Sequence, residues 1–88
     1  MDLSKLYYDC IGEELSPRHV DDFGRCLETM FNRKDRPRYY KALSLRYSGN
    51  TLKFIGEELG IGKERVRQII CKAIKMIQHR LMHGGWDR

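Results

Sequence analysis

Residues 51–81 read TLKFIGEELGIGKERVRQIICKAIKMIQHRL, and they ask for two helices that cross over a turn too tight for ordinary side chains. Gly60 is placed to make that turn, because glycine ends a helix in the left-handed conformation without a Cβ to clash. Ile61 follows it and can plug the angle between the helices. Gly56, four residues earlier, lets the second backbone come close. Leu52, Ile55 and Leu59 before the turn, with Ile61, Val66 and Ile69 after it, fill the apolar positions that a helix-turn-helix buries.

The second helix of the pair starts after Gly62 and runs to about Met82, where Gly84 and Gly85 end it. Val66, Ile69, Ile70, Ala73, Ile74, Ile77 and Leu81 form one stripe along it, which leaves Glu64, Arg67, Gln68, Cys71 and Lys75 towards the other side. The first turns of that polar side carry Lys63, Glu64, Arg67 and Gln68, the side-chain types that read base edges in the major groove: Arg and Lys guanine, Gln adenine, Glu a cytosine amine. Lys53, Arg65, Lys72 and Arg46 lie outside it and suit phosphates, which position a protein without reading sequence. The competing explanation is a solvated helix face laced by pairs such as Glu64 with Arg67 at i,i+3. It leaves the tight glycine turn unexplained.

Upstream, Pro37 pre-sets the first turn of a helix carrying Tyr40, Leu43, Leu45 and Tyr47, which Ser48, Gly49 and Asn50 stop. Thr51 then caps the short helix that ends near Leu59. Leu43, Leu45, Arg46 and Tyr47, then Thr51 to Gly56, and above all Gly60 with Lys63 to Ile69 and Lys72 to Ile74, resemble region four of the sigma-70 family of bacterial transcription initiation factors. Its pattern there is L-x-L-R-[YF], T-L-x-E-[IV]-G and R-E-R-[VI]-R-Q-I-E-x-K-A-L. The resemblance covers about residues 37–82, and its E-R-V-R-Q-I core is specific.

That resemblance implies that the last helix enters the major groove of the −35 promoter element. Lys63, Glu64, Arg67 and Gln68 would face bases there, and Arg46 and Thr51 the backbone. It further implies docking on the flap of the RNA polymerase β subunit through apolar residues of the first helices, with Tyr40, Leu43 and Leu59 as participants. Three departures stand out. Lys63 replaces the usual Arg, exchanging a bidentate fork for a point charge. Ile70 replaces the usual Glu and suggests an extra apolar contact, and Ser48 to Asn50 is short, as in alternative sigma factors. Residues 1–35 hold nothing resembling the helices that melt the downstream promoter element. The expectation is therefore a stand-alone region-four regulator of phage type, half of a split factor, or a fragment.

The charge divides where the motif begins. Residues 1–35 carry five basic against eight acidic side chains, a net of −3, and residues 36–88 twelve against four, a net of +8. A basic half joined to an acidic one points to duplex nucleic acid as partner of the former and to protein association for the latter. In the first half, Leu3, Leu6, Tyr7, Cys10, Ile11 and Leu15 mark an amphipathic helix ending near Leu15. Ser16 with Pro17 signals the start of a second, whose stripe Val20, Phe23, Leu27, Met30 and Phe31 reaches about Asn32. These two pack beneath the helix-turn-helix or bind a partner.

The 88 residues, 41% hydrophobic and 33% charged, set the bounds: one small core, neither a disordered tail nor a membrane protein. No stretch alternates with period two, so the expected fold is all-α, four to five helices with a C-terminal helix-turn-helix and no winged strands. The expected division is an acidic helical pair over 1–35 and a basic helix-turn-helix over 36–88. Cys10, Cys26 and Cys71 form no C-x-x-C pair and read as buried reduced thiols in a cytosol, bacterial or phage-infected. The start MDLSKLYYDC has no secretory h-region.

Other chemistry finds little support. His79 and His83 have helical zinc spacing but neither a third ligand nor the glutamate of H-E-x-x-H. Gly56, Gly60 and Gly62 follow no strand and precede no G-K-[ST], so they make no phosphate loop. Glu13 and Glu14, like Asp21 and Asp22, are helix neighbours about 100° apart and form no acid and base pair. No nucleophile with a base and an orienting group can be assembled, so neither an enzyme nor a cofactor is expected. Tyr7, Tyr8, Tyr39 and Tyr40 read as core or groove residues, and Trp86 as part of a tail. The functional expectation is a DNA-binding transcription regulator that also contacts RNA polymerase. Its rivals are an adapter that binds polymerase or a sigma factor without reading DNA, and a repressor-like dimer independent of polymerase.

Overall fold

A computed structural model describes residues 1–32 and 37–83. Five α-helices follow in order among them: α1 (Leu3–Ile11), α2 (Val20–Phe31), α3 (Pro37–Arg46), α4 (Leu52–Leu59) and α5 (Lys63–His83), with a 3-10 turn at Pro17–His19 before α2. No strand occurs among the described residues, as the lack of period-two patterning predicts. No helix among them is long and apolar enough to cross a membrane. The sequence features at residues 33–36 and 84–88, including the proposed stop at Gly84 and Gly85 and the tail tryptophan Trp86, lie outside the described residues.

Local chemistry explains most of the boundaries. Asp2 caps α1 by accepting the Lys5 N–H at 3.0 Å, and Thr51 caps α4 by accepting the Phe54 N–H at 3.1 Å, each satisfying an orphan first-turn donor. Asp21 and Asp22 lie in the first turn of α2, where their charge complements the helix dipole. Two boundaries differ from the sequence expectation. α1 stops at Ile11 because Gly12 takes a left-handed φ of 84° and returns its N–H to Tyr8 at 2.7 Å. Leu15 is still buried, but from a loop. Ser16 makes no side-chain cap, and Pro17 opens the 3-10 turn rather than α2 itself.

The charge boundary near residue 35 is not a folding boundary. Leu6, Cys10, Leu15, Phe23, Leu27 and Phe31 from the acidic half share one hydrophobic cluster with Leu43, Ile55, Val66 and Ile77 from the basic half. Polar contacts fasten the seam: the Asp2 N–H donates to the Tyr47 carbonyl at 2.7 Å, and the Tyr47 hydroxyl donates to Asp9 Oδ2 at 2.6 Å. Gln78 Nε2, on α5, donates to the Cys10 carbonyl at 2.9 Å and satisfies an orphan acceptor at the end of α1. The two N-terminal helices thus pack beneath the helix-turn-helix, and the one small core expected of this length spans both halves. A chain this short has too little apolar surface to close two.

Cys10 and Cys26 are buried as expected, and burial pushes the Cys10 thiol up to about 12. Cys71 is instead exposed, on the polar side of α5. The stripe that buries Val66, Ile70 and Ala73 turns position 71 away from the core.

Candidate nucleic-acid interface

The turn between α4 and α5 forms as its glycines predict. Gly60 adopts a φ of 72°, which an L side chain rarely tolerates. A Cβ added at Gly56 would stand 2.6 Å from the Ile61 carbonyl oxygen, a separation at which backbone must shift. The Ile61 N–H bonds the Gly56 carbonyl at 2.9 Å, which locks the approach. Ile55, Val66 and Ile69 are buried and Leu52, Leu59 and Ile61 half-buried, so all six motif positions pack.

This packing fixes what α5 exposes. Val66, Ile69, Ile70, Ala73 and Ile77 face the core, and Lys63, Glu64, Arg67 and Gln68 are all exposed over the first two turns. Glu64 and Arg67 meet, as the solvated-face explanation anticipates. Arg67 Nε lies 3.2 and 3.1 Å from the two Glu64 oxygens, and Nη2 also bonds Oε1. The hydrogen bonds from Arg67 hold the Glu64 carboxyl below its ordinary range, and those to Glu64 raise the guanidinium above its own. Lys63 sits at the edge of the row and shares a crevice beside the turn with Lys53, Glu57 and Gly60.

The residues suited to phosphate surround that row. Arg65 and Lys72 are exposed and, at about 100° per residue, leave α5 along one edge of its polar face. Arg46 is exposed at the end of α3 and spends one N–H on the Asn50 carbonyl at 3.0 Å, which leaves most of its five donors. Thr51 accepts its capping bond on Oγ1 but keeps its own hydroxyl proton to donate.

The apolar positions assigned to polymerase contact divide. Tyr40 and Leu59 are half-buried and present part of their surface. Tyr40 lies near Phe31, ring centroids 6.5 Å apart, and burial, then the Glu28 charge, raises its phenol above the ordinary range. Leu43 is 0% exposed. It is a core residue and offers no surface to a partner, because α3 packs against α2, α4 and α5 at once.

One feature escaped the sequence reading. Phe54 is 41% exposed on α4, where the quoted pattern T-L-x-E-[IV]-G has glutamate; that departure was the available signal. Ile70 is buried in the common core and borders a cleft with Lys5, Asp9, Arg46 and Tyr47. His79 and His83 approach with ring centroids 4.5 Å apart. No group of three His, Cys, Asp or Glu suited to a metal ion forms among the described residues.

Comparison with known proteins agrees with this geometry. The family model described as Sigma-70, region 4 matches residues 37–79, from the start of α3 into the second half of α5. No curated protein and no solved structure matches the chain.

Proposed function

We propose, from the premise that residues 37–79 are a sigma-70 region-four helix-turn-helix, a DNA-binding domain of transcription factors, that this chain binds promoter DNA as a transcription regulator. The first two turns of α5 enter the major groove. Glu64, Arg67 and Gln68 read base edges with Lys63 at the rim, while Arg46, Thr51, Lys53, Arg65 and Lys72 hold phosphates on either side. Tyr40 and Leu59 contribute to a contact with the β flap of RNA polymerase.

The observation that carries the reading is the exposed row Lys63, Glu64, Arg67 and Gln68 at the start of a helix whose opposite side is wholly committed to the core. Selection of a duplex from a random library, then titration against that duplex and a scrambled one, tests it. Preference for the selected duplex that disappears in Arg67→Ala supports the reading. Equal affinity for both duplexes, together with capture of purified RNA polymerase, favours the adapter function. The Glu64–Arg67 contact gives that second reading its support, since a self-paired face needs no DNA to satisfy it.

A further inference from the structure

Lys5 is the one basic residue of α1, in a segment of net charge −3 over residues 1–35. Its position is not arbitrary. The backbone bond from Asp2 to Tyr47 and the hydroxyl bond from Tyr47 to Asp9 pin α1 to the residue that follows Arg46. Lys5, Asp9, Arg46, Tyr47, Gly49 and Ile70 consequently line one open cleft of about 440 Å³, room for a phosphate with part of its hydration. Both cations of that cleft are exposed.

The cleft opens beside the reading row. Ile70 is one turn beyond Arg67 and borders the polar face of α5 on the edge opposite Arg65 and Lys72. A helix lying in a major groove has a phosphate strand on each side. Arg65 and Lys72 are placed for one strand, and the Lys5 and Arg46 cleft stands on the side of the other. Among the described residues Asp9 is the only carboxylate lining the cleft; one of its oxygens is occupied by the Tyr47 hydroxyl, and two cations against one anion make their sum positive.

We propose that the Lys5 ammonium and the Arg46 guanidinium grip one backbone phosphate of the bound duplex, so that the N-terminal helix is part of the DNA footprint. This rests on the DNA-binding reading above. It assigns to α1 a function that the acidic balance of residues 1–35 argues against, and Lys5 acts as a positioning residue without reading sequence.

Fluorescence anisotropy of the full chain on its selected duplex, across a salt series, provides the test. Lys5→Ala and Lys5→Gln are expected to lower affinity roughly three- to tenfold near 0.1 M salt and to make the salt slope shallower by less than the about 0.9 of one whole phosphate contact, because Arg46 stays on the same phosphate. The ratio between selected and scrambled duplex stays as in the unsubstituted chain, and Lys5→Arg restores both affinity and slope. Combined with Arg46→Ala, the Lys5→Ala loss is less than additive, as two groups on one phosphate require. Unchanged affinity and slope in folded Lys5→Ala and Lys5→Gln overturn the proposal while leaving DNA binding standing, and strict additivity overturns the shared phosphate. If the unsubstituted chain binds no duplex even at low salt, the DNA-binding reading itself fails and this proposal with it.

Discussion

Arg67 lies one turn after Glu64 on the exposed side of α5 and holds its carboxylate in a forked contact through Nε and Nη2. Both side chains are more than half exposed, so water and salt compete with the contact. The guanidinium therefore remains available to another acceptor.

Arg67→Ala is expected to flatten the preference between selected and scrambled duplex by about 1–3 kcal/mol. Glu64→Gln removes a negative charge beside the phosphates and also the carboxylate proposed to read a base, so it should raise affinity for the scrambled duplex and narrow the preference for the selected one. Parallel titrations of the two variants check this. Full sequence preference in Arg67→Ala would place the reading head elsewhere.

Binding overall should be salt-dependent. If around five phosphates are neutralised, the slope of log K against log salt is about −4 to −5. Lys72→Ala then weakens selected and scrambled duplexes alike and makes the slope shallower by about one. A flat response in the unsubstituted chain would count against DNA binding.

Gly56→Ala sets a Cβ against the Ile61 carbonyl at 2.6 Å and should destabilise the fold by about 1–3 kcal/mol. Gly60→Ala meets open space but keeps a left-handed φ, costing about 1–2 kcal/mol. Urea melts measure both. Under conditions where both remain folded, Gly56→Ala should lose more DNA affinity, because relieving its clash changes how α4 crosses α5.

A chain lacking residues 1–32 should show no cooperative thermal transition by circular dichroism, since Leu6, Phe23, Leu27 and Phe31 leave the common core. A folded, DNA-binding remainder would show that residues 1–32 are dispensable to the fold.

Alkaline pH should unfold the protein from the α1 seam. The Cys10 thiol is raised by burial from 9.0 to about 12, and Tyr47 is raised by burial and by its bond to Asp9. Both favour the protonated form in the folded state, so their contribution is complete below pH 9 and is lost as pH climbs towards 12. Cys10→Ala should shallow the decline in melting temperature between pH 9 and 11. An identical decline would remove Cys10 as its source.

The sequence by itself determined the helix-turn-helix, its glycine turn, the Thr51 cap and the polar row of α5. Each depends on the stereochemistry or periodicity of residues within one or two turns of one another, and such information is written locally. Only the tertiary structure decided between the two places open to α1 and α2, putting them in the common core, and showed that Leu43 is enclosed and that Lys5 stands in the Arg46 cleft. Those outcomes depend on which surfaces meet across the chain, because helical period marks a side as apolar without saying what will cover it. The charge boundary near residue 35 does not mark a core boundary for that reason: charges lie on the outside and follow sequence, whereas Leu6, Phe23 and Ile77 join one apolar cluster that net charge does not report.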